Sequence, residues 1–124
     1  MIHGVGMDIV EIERIREDIK RYGDSFMKRI LGETEQKVFA ARANREQFLA
    51  GRFACKEAVI KALGYRLKNR PPYTDLEIVN DDTGQPVLQL PENIQQQLGS
   101  AKVLISISHE NNYAAAVAII TEDR

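Results

Sequence analysis

The stretch from Asn44 to Gly64, NREQFLAGRFACKEAVIKALG, constrains this chain more than any other. Gly51 is its one interior residue that weakens a helix, and Gly64 stands where a C-terminal cap belongs. At about 100° per residue, Phe48, Leu49, Phe53, Cys55, Val59, Ile60, Ala62 and Leu63 cover a broad apolar arc. A helix of that kind is buried along most of its length. Lys56 nevertheless projects from within the arc, and Glu57 and Lys61 sit at its edge, one turn apart. Ala50, Ala54 and Ala58 keep the surface beside them low. Two readings stand side by side: a surface ion pair between Glu57 and Lys61, or a seat for a metal and a phosphate on a rigid, half-buried helix.

At 124 residues the chain is expected to form one domain, residues 1–124, with a modest core. Its net charge of −1 provides no global basic field for nucleic acid, so attraction to a charged partner has to be local. Cys55 is the one cysteine; it lies on the apolar arc, which favours a buried, inert thiol over a nucleophile. The N-terminus lacks the features of a signal peptide, and no apolar run reaches membrane-spanning length. A cytoplasmic protein is expected.

In chain order, Ile2 to Val10 reads as a strand in which Gly4 and Gly6 allow close backbone approach. Asp8 interrupts its apolar run, as a helix cap or as a functional carboxylate; both remain open, because a helical pattern follows from Glu11 to Tyr22. Further helices are predicted over Ser25–Leu31 and over Thr34–Ala43, the latter capped by Thr34. After the central helix comes a basic loop stiffened by Pro71-Pro72. Strands follow over Asp75–Asn80 and Gln85–Leu90, a short helix over Glu92–Leu98, then strands over Lys102–Ser108 and Tyr113–Thr121. Helices in the N-terminal half packed on a small antiparallel sheet make the class α+β.

Few residues are equipped for chemistry. His3 and His109 are the only histidines, and with one cysteine they provide no zinc-ligand spacing. Ser106 and Ser108 share one side of a strand, and His109 follows at its turn; hydroxyls and imidazole there suit phosphate or ligand binding better than a nucleophilic pair. No glycine-rich phosphate loop is present. Asp8 and Glu57 remain, with Arg52, Lys56 and Lys61 near the second. Two carboxylates from different elements suit magnesium, which takes few protein ligands and keeps its waters. Arg14, Arg16, Lys20, Arg21, Lys28 and Arg29 outnumber the acids between positions 13 and 29. They form either a mixed solvated face or a receiver for an acidic amphipathic partner.

Four segments carry a resemblance. Gly6-Met7-Asp8-Ile9-Val10-Glu11-Ile12-Glu13-Arg14-Ile15 is similar to the opening of the bacterial holo-acyl-carrier-protein synthases, a branch of the 4′-phosphopantetheinyl transferases. Phe53-Ala54-Cys55-Lys56-Glu57-Ala58-Val59-Ile60-Lys61-Ala62 resembles their F-x-x-K-E-A-x-x-K-A signature, Ser106-Ile107-Ser108-His109 their third motif, and Asn80-Asp81-Asp82-Thr83-Gly84-Gln85-Pro86 their N-D-x-x-G-x-P turn. The resemblance spans nearly the whole chain. It implies transfer of 4′-phosphopantetheine from coenzyme A to a serine of apo acyl carrier protein, releasing adenosine 3′,5′-bisphosphate, in the service of fatty acid and lipid synthesis. It implies magnesium on Asp8 and Glu57, with Lys61 neutralising pyrophosphate charge; these three are the expected catalytic residues. It further implies coenzyme contacts from Arg52, Lys61, Ser108 and His109, carrier docking on Arg14 and Arg21, and a homotrimer with active sites between subunits. Two departures stand out. Gly64-Tyr65-Arg66 replaces the usual Gly-Thr-Gly loop, so the loop's grip on the coenzyme is expected to differ. Val10 occupies a position that is acidic in larger relatives, which leaves water or Glu11 to complete the magnesium shell. Two rival functions stand beside it: a magnesium-dependent phosphohydrolase using the same carboxylates, and a non-catalytic module binding an acidic protein or RNA through the Arg14–Arg29 face.

Overall fold

The computed structural model describes residues 1–122; the last two positions of the expected 1–124 domain lie outside the described residues. Strand β1 (Ile2–Glu11) leads into helices α1 (Ile12–Tyr22), α2 (Asp24–Ile30), α3 (Glu33–Ala41) and α4 (Arg45–Leu63). Hairpin strands β2 (Glu77–Asn80) and β3 (Pro86–Gln89), helix α5 (Glu92–Leu98), and strands β4 (Lys102–His109) and β5 (Tyr113–Thr121) complete the chain. The predicted α+β class is borne out, with the strands divided between two sheets. β1, β5 and β4 form an antiparallel sheet in that order, and β2 pairs with β3 in a separate ribbon.

The central helix forms where the apolar arc predicts it. Gly64, at φ +53°, turns the chain out of α4, and its N–H caps the Ile60 carbonyl. Leu49, Ala50, Ala54, Cys55, Ala58, Val59, Ala62 and Leu63 are all buried. They pack on the inner face of the three-stranded sheet, where β5 contributes Ala114, Ala116, Ala118 and Ile120. Small residues on both sides bring helix and sheet close together. The approach is tightest at β1, where a Cβ on Gly6 would overlap the Ala58 carbonyl oxygen and one on Gly4 the Ala62 carbonyl oxygen.

Alternation along β1 follows from that contact. Gly4, Gly6, Asp8 and Val10 face α4, while Val5, Met7 and Ile9 are exposed on the other face. The cap reading of Asp8 is thereby overturned. The strand runs on to Glu11, which occupies the cap position of α1 without a side-chain cap bond, and Ile12 donates to the Asn112 carbonyl at 2.8 Å. Nor does Thr34 cap α3; Gly32 precedes that helix, and its N–H donates to Glu35 Oε1 at 2.9 Å. β2 begins two residues later than predicted, because Tyr73–Asp75 forms a 3₁₀ turn.

Candidate active site

The inner register of the sheet places Asp8 in one cross-strand row with Ala116 and Ile107. From α4 above, Lys61 Nζ donates to Asp8 Oδ1 at 3.0 Å and to the Met7 carbonyl at 3.0 Å. Glu57 lies one turn earlier on the same helix face. It does not pair with Lys61, so the local ion-pair reading fails. Glu57 Oε1 instead accepts hydrogen bonds from the Tyr73 hydroxyl and, at 3.4 Å, from Arg70 Nη2. Partial burial, followed by the bond to Glu57, pushes the Tyr73 phenol above its ordinary range, so it remains a protonated donor at neutral pH. Among the described residues, Asp8 Oδ2 and Glu57 Oε2 accept no hydrogen bond. Two half-buried carboxylates, each with one oxygen uncommitted and with an ammonium between their elements, suit a small hard cation. No group of three or more His, Cys, Asp or Glu side chains able to hold a metal occurs among the described residues. Glu11, the one acidic supplement anticipated, is on the opposite face of β1. A cation held by Asp8 and Glu57 would take its remaining ligands from solvent or substrate oxygens.

A groove of about 520 Å³ opens beside this row, lined among others by Phe48, Arg52, Asn80, Ile107 and His109. Ile107 belongs to it and to the Asp8 row, two strand spacings (roughly 10 Å) from Asp8. The Arg52 guanidinium stacks over Phe48, 4.6 Å from the ring centre, and donates to Asn80 Oδ1 at 3.5 Å. Its Nε lies 3.9 Å from Glu35 Oε2 and has no hydrogen-bond partner. Burial lowers the Arg52 pKa, with Glu35 opposing, yet a guanidinium stays charged. A cation lining an open groove suits anionic oxygen, although the Nε of Arg52 is turned to Glu35 and shut off from solvent. Arg52 and Lys61 stand roughly 14 Å apart along α4 but about half a turn apart around it, so their side chains leave opposite sides of the helix.

The structure distributes the anticipated residues unevenly. Lys61 and Asp8 meet, and Glu57 shares their helix face; Arg52 and His109 line one groove. Ser108 is not with them, because it points from β4 to the outer face of the sheet, opposite to His109. Arg14 and Arg21 are exposed on α1, two turns apart and outside both clusters. Lys56, anticipated beside Glu57, is wholly buried and donates to the Ile30 carbonyl (2.5 Å), Glu35 Oε1 (2.6 Å) and the Tyr73 carbonyl (3.0 Å). Cys55 is fully buried, and burial pushes its thiol up to about 12, so it is inert as expected. Tyr73, Arg70 and Glu35 were not anticipated, nor was the contact of Asn80, the first residue of the N-D-x-x-G-x-P turn, with Arg52. Each lies on an element distant in sequence from the residue it contacts, beyond the reach of periodicity.

The fold is α+β, with its candidate site residues gathered chiefly where the central helix meets the first strand. A family model, the 4′-phosphopantetheinyl transferase superfamily, matches residues 4–118. The holo-[acyl-carrier-protein] synthase of Protochlamydia amoebophila is 44% identical over 119 residues, covering 96% of this chain and 98% of that one. The crystal structure of the same enzyme from Neisseria meningitidis superposes with a TM-score of 0.90 at 31% identity, covering 98% and 100% of the two chains. That of the Bacillus anthracis synthase in complex with CoA (3′,5′-ADP) gives 0.82 at 36% identity, covering 99% of each. The chain belongs to the 4′-phosphopantetheinyl transferase superfamily and, within it, to the enzymes named holo-[acyl-carrier-protein] synthase.

Proposed function

We propose that this enzyme transfers 4′-phosphopantetheine from coenzyme A to a serine hydroxyl of apo acyl carrier protein, in a magnesium-dependent reaction that releases adenosine 3′,5′-bisphosphate. The observation that carries this reading is the Asp8–Lys61 contact across the β1–α4 junction, with Glu57 one turn away and an uncommitted oxygen on each carboxylate. Asp8 and Glu57 would hold magnesium, which when bound polarises a phosphoryl oxygen and offsets charge on the departing phosphate. Lys61, fixed by Asp8 Oδ1 and the Met7 carbonyl, presents its ammonium where that charge develops and so favours the transition state over the ground state. Arg52 and His109 line the groove and receive the phosphates of the adenosine end. Phe48, Asn80 and Glu35 hold the Arg52 head in place at the groove wall.

Arg14 and Arg21, exposed on one face of α1, offer two cations to the acidic recognition helix of a carrier protein. Val5, Met7, Ile9, Leu104 and Tyr113 leave a broad apolar surface on the outer face of the sheet. This supports association with further copies of the chain, in this reading a homotrimer with active sites between subunits. Ser108 stands on that same face, so it reaches the coenzyme in such an assembly rather than within one isolated chain. No helix among the described residues is long and apolar enough to cross a membrane, which is compatible with the cytoplasmic location proposed. Residues 1–124 act as one domain in this reading.

Incubation with coenzyme A, magnesium and apo carrier protein, followed by intact mass of the carrier, tests the proposal. The expected result is addition of one phosphopantetheine, abolished by EDTA. Coenzyme A consumed with the carrier unchanged in mass would establish hydrolysis instead, and no change in either would refute both.

A further inference from the structure

The residues Phe53, Lys56 and Glu57 occupy positions i, i+3 and i+4 of α4, and all three touch one side chain or its backbone: Tyr73. The Phe53 and Tyr73 rings meet edge to face, with centroids 5.4 Å apart at 70°. Lys56 Nζ donates to the Tyr73 carbonyl at 3.0 Å from a fully buried position. The Tyr73 hydroxyl donates to Glu57 Oε1. Arg70, three residues before Tyr73, donates to the phenol oxygen at 3.0 Å. A guanidinium only donates, so the phenol oxygen accepts from Arg70 and its own proton goes to Glu57. The bond therefore has a fixed polarity. Both donors converge on Oε1, which leaves Oε2 as the oxygen that can turn to a ligand.

We propose that Tyr73 is a positioning residue for the Glu57 carboxylate, its hydroxyl engaging Oε1 so that Oε2 is held ready for the cation shared with Asp8. This rests on the reading of Glu57 as a metal ligand and deepens it. The loop from Leu67 to Asp75 is then an outer support of the site, anchored by the same helical turn it orients. A glutamate on a helix edge otherwise samples several rotamers, and each one excluded in advance lowers the ordering cost of binding. Hydrogen-bond partners of ligating carboxylates act in this manner, and their removal weakens metal affinity by roughly 10- to 100-fold. A purely structural role would leave metal affinity unmoved once the protein is folded.

Tyr73→Phe removes one oxygen and keeps both the ring on Phe53 and the carbonyl on Lys56, so the loop stays in place. Mn²⁺ titration of the purified enzyme, with free Mn²⁺ read by electron paramagnetic resonance, is run on the wild type, Tyr73→Phe and Glu57→Gln, beside thermal melts without metal. Expected is a loss of about 10-fold or more in Mn²⁺ affinity for Tyr73→Phe, with a melting temperature close to wild type. Unchanged or tighter binding by Tyr73→Phe, with Glu57→Gln weakened, would overturn the positioning role alone; tighter binding would mean that Tyr73 competes with the metal. Unchanged binding by Glu57→Gln would overturn the ligand assignment on which the role depends. Weakened binding accompanied by a collapsed melting temperature would assign Tyr73 a structural role and overturn the proposal equally.

Discussion

Glu35 and Lys56 make the most demanding test of how this fold is held. Both side chains are wholly buried, with Lys56 Nζ 2.6 Å from Glu35 Oε1. Glu35 also accepts from Gly32 N at 2.9 Å and Ile78 N at 3.1 Å, tying α3 and β2 together, and lies 3.9 Å from Arg52 Nε. Glu35→Gln keeps the shape but strands the Lys56 ammonium with only two carbonyls, which costs about 3–5 kcal/mol. An amide has one oxygen where the carboxylate has two, so one donor also faces an NH₂ group, at about 1 kcal/mol or more. Lys56→Met should cost less, since the remaining carboxylate keeps Arg52 and two backbone donors. The double variant should be more stable than Glu35→Gln alone, because the wholly buried ammonium is then gone and only Arg52 is left without its carboxylate. Against a total of roughly 5–15 kcal/mol the single change is severe, on the order of 15 °C in melting temperature. Desolvation already lowers the Lys56 pKa, and Glu35 is the main opposing influence. In Glu35→Gln the folded pKa falls further below the unfolded one. Between those two values the unfolded chain binds more protons, so stability should rise with pH on the approach to 10.5. Urea denaturation followed by circular dichroism at fixed protein concentration measures all of this. Lys56→Met as the worse single variant, or a Glu35→Gln protein no more stable at pH 10 than at pH 7 relative to wild type, would refute the reasoning.

Two further outcomes are expected. Lys61→Ala should lower kcat about 10²- to 10³-fold while changing the KM for coenzyme A far less, because its ammonium acts on developing charge; equal losses in binding and turnover would assign it to ground-state binding. Met7→Glu, at the middle of the exposed apolar face, should shift the mass seen by light scattering toward a single chain; an unchanged mass would place the subunit contact elsewhere.

Much of the fold was legible because its decisive elements are long and strongly patterned. The arc on α4 and the alternation of β4 and β5 put those elements where they were predicted, within a residue at either end. Asp8 was ambiguous because a carboxylate before a helical pattern looks the same in sequence whether it caps the helix or ends a strand. Packing settled it, since Gly4 and Gly6 commit the even positions of β1 to α4. Lys56 misled for a different reason. A lysine in an apolar arc ordinarily extends its head to water, and the counter-charge that keeps this one buried sits 21 positions earlier on another helix. Ser108 and His109 read as neighbours in one motif, yet strand alternation sends them to opposite faces.

That alternation gives one small sheet two faces of different character. Along β5 the inner positions Ala114, Ala116 and Ala118 are among the smallest residues available, while the outer positions Val117 and Ile119 are β-branched. Small inner residues let α4 descend until Lys61 reaches Asp8 across the glycines of β1; larger ones would lift the helix and separate the ammonium from the carboxylate. The outer residues extend the rows Val5–Ile119–Leu104 and Met7–Val117–Ser106, apolar except for Ser106, a surface suited to burial against another chain. A one-residue slip of β1 would exchange the two faces, burying Met7 against α4 and exposing Asp8. The clash at Gly4 and Gly6 forbids that slip, since Val5 and Met7 cannot occupy space where even a methyl group overlaps a carbonyl oxygen. The same two glycines thus secure both the position of Asp8 and the exposed apolar face, so the proposed site and the proposed interface are fixed together.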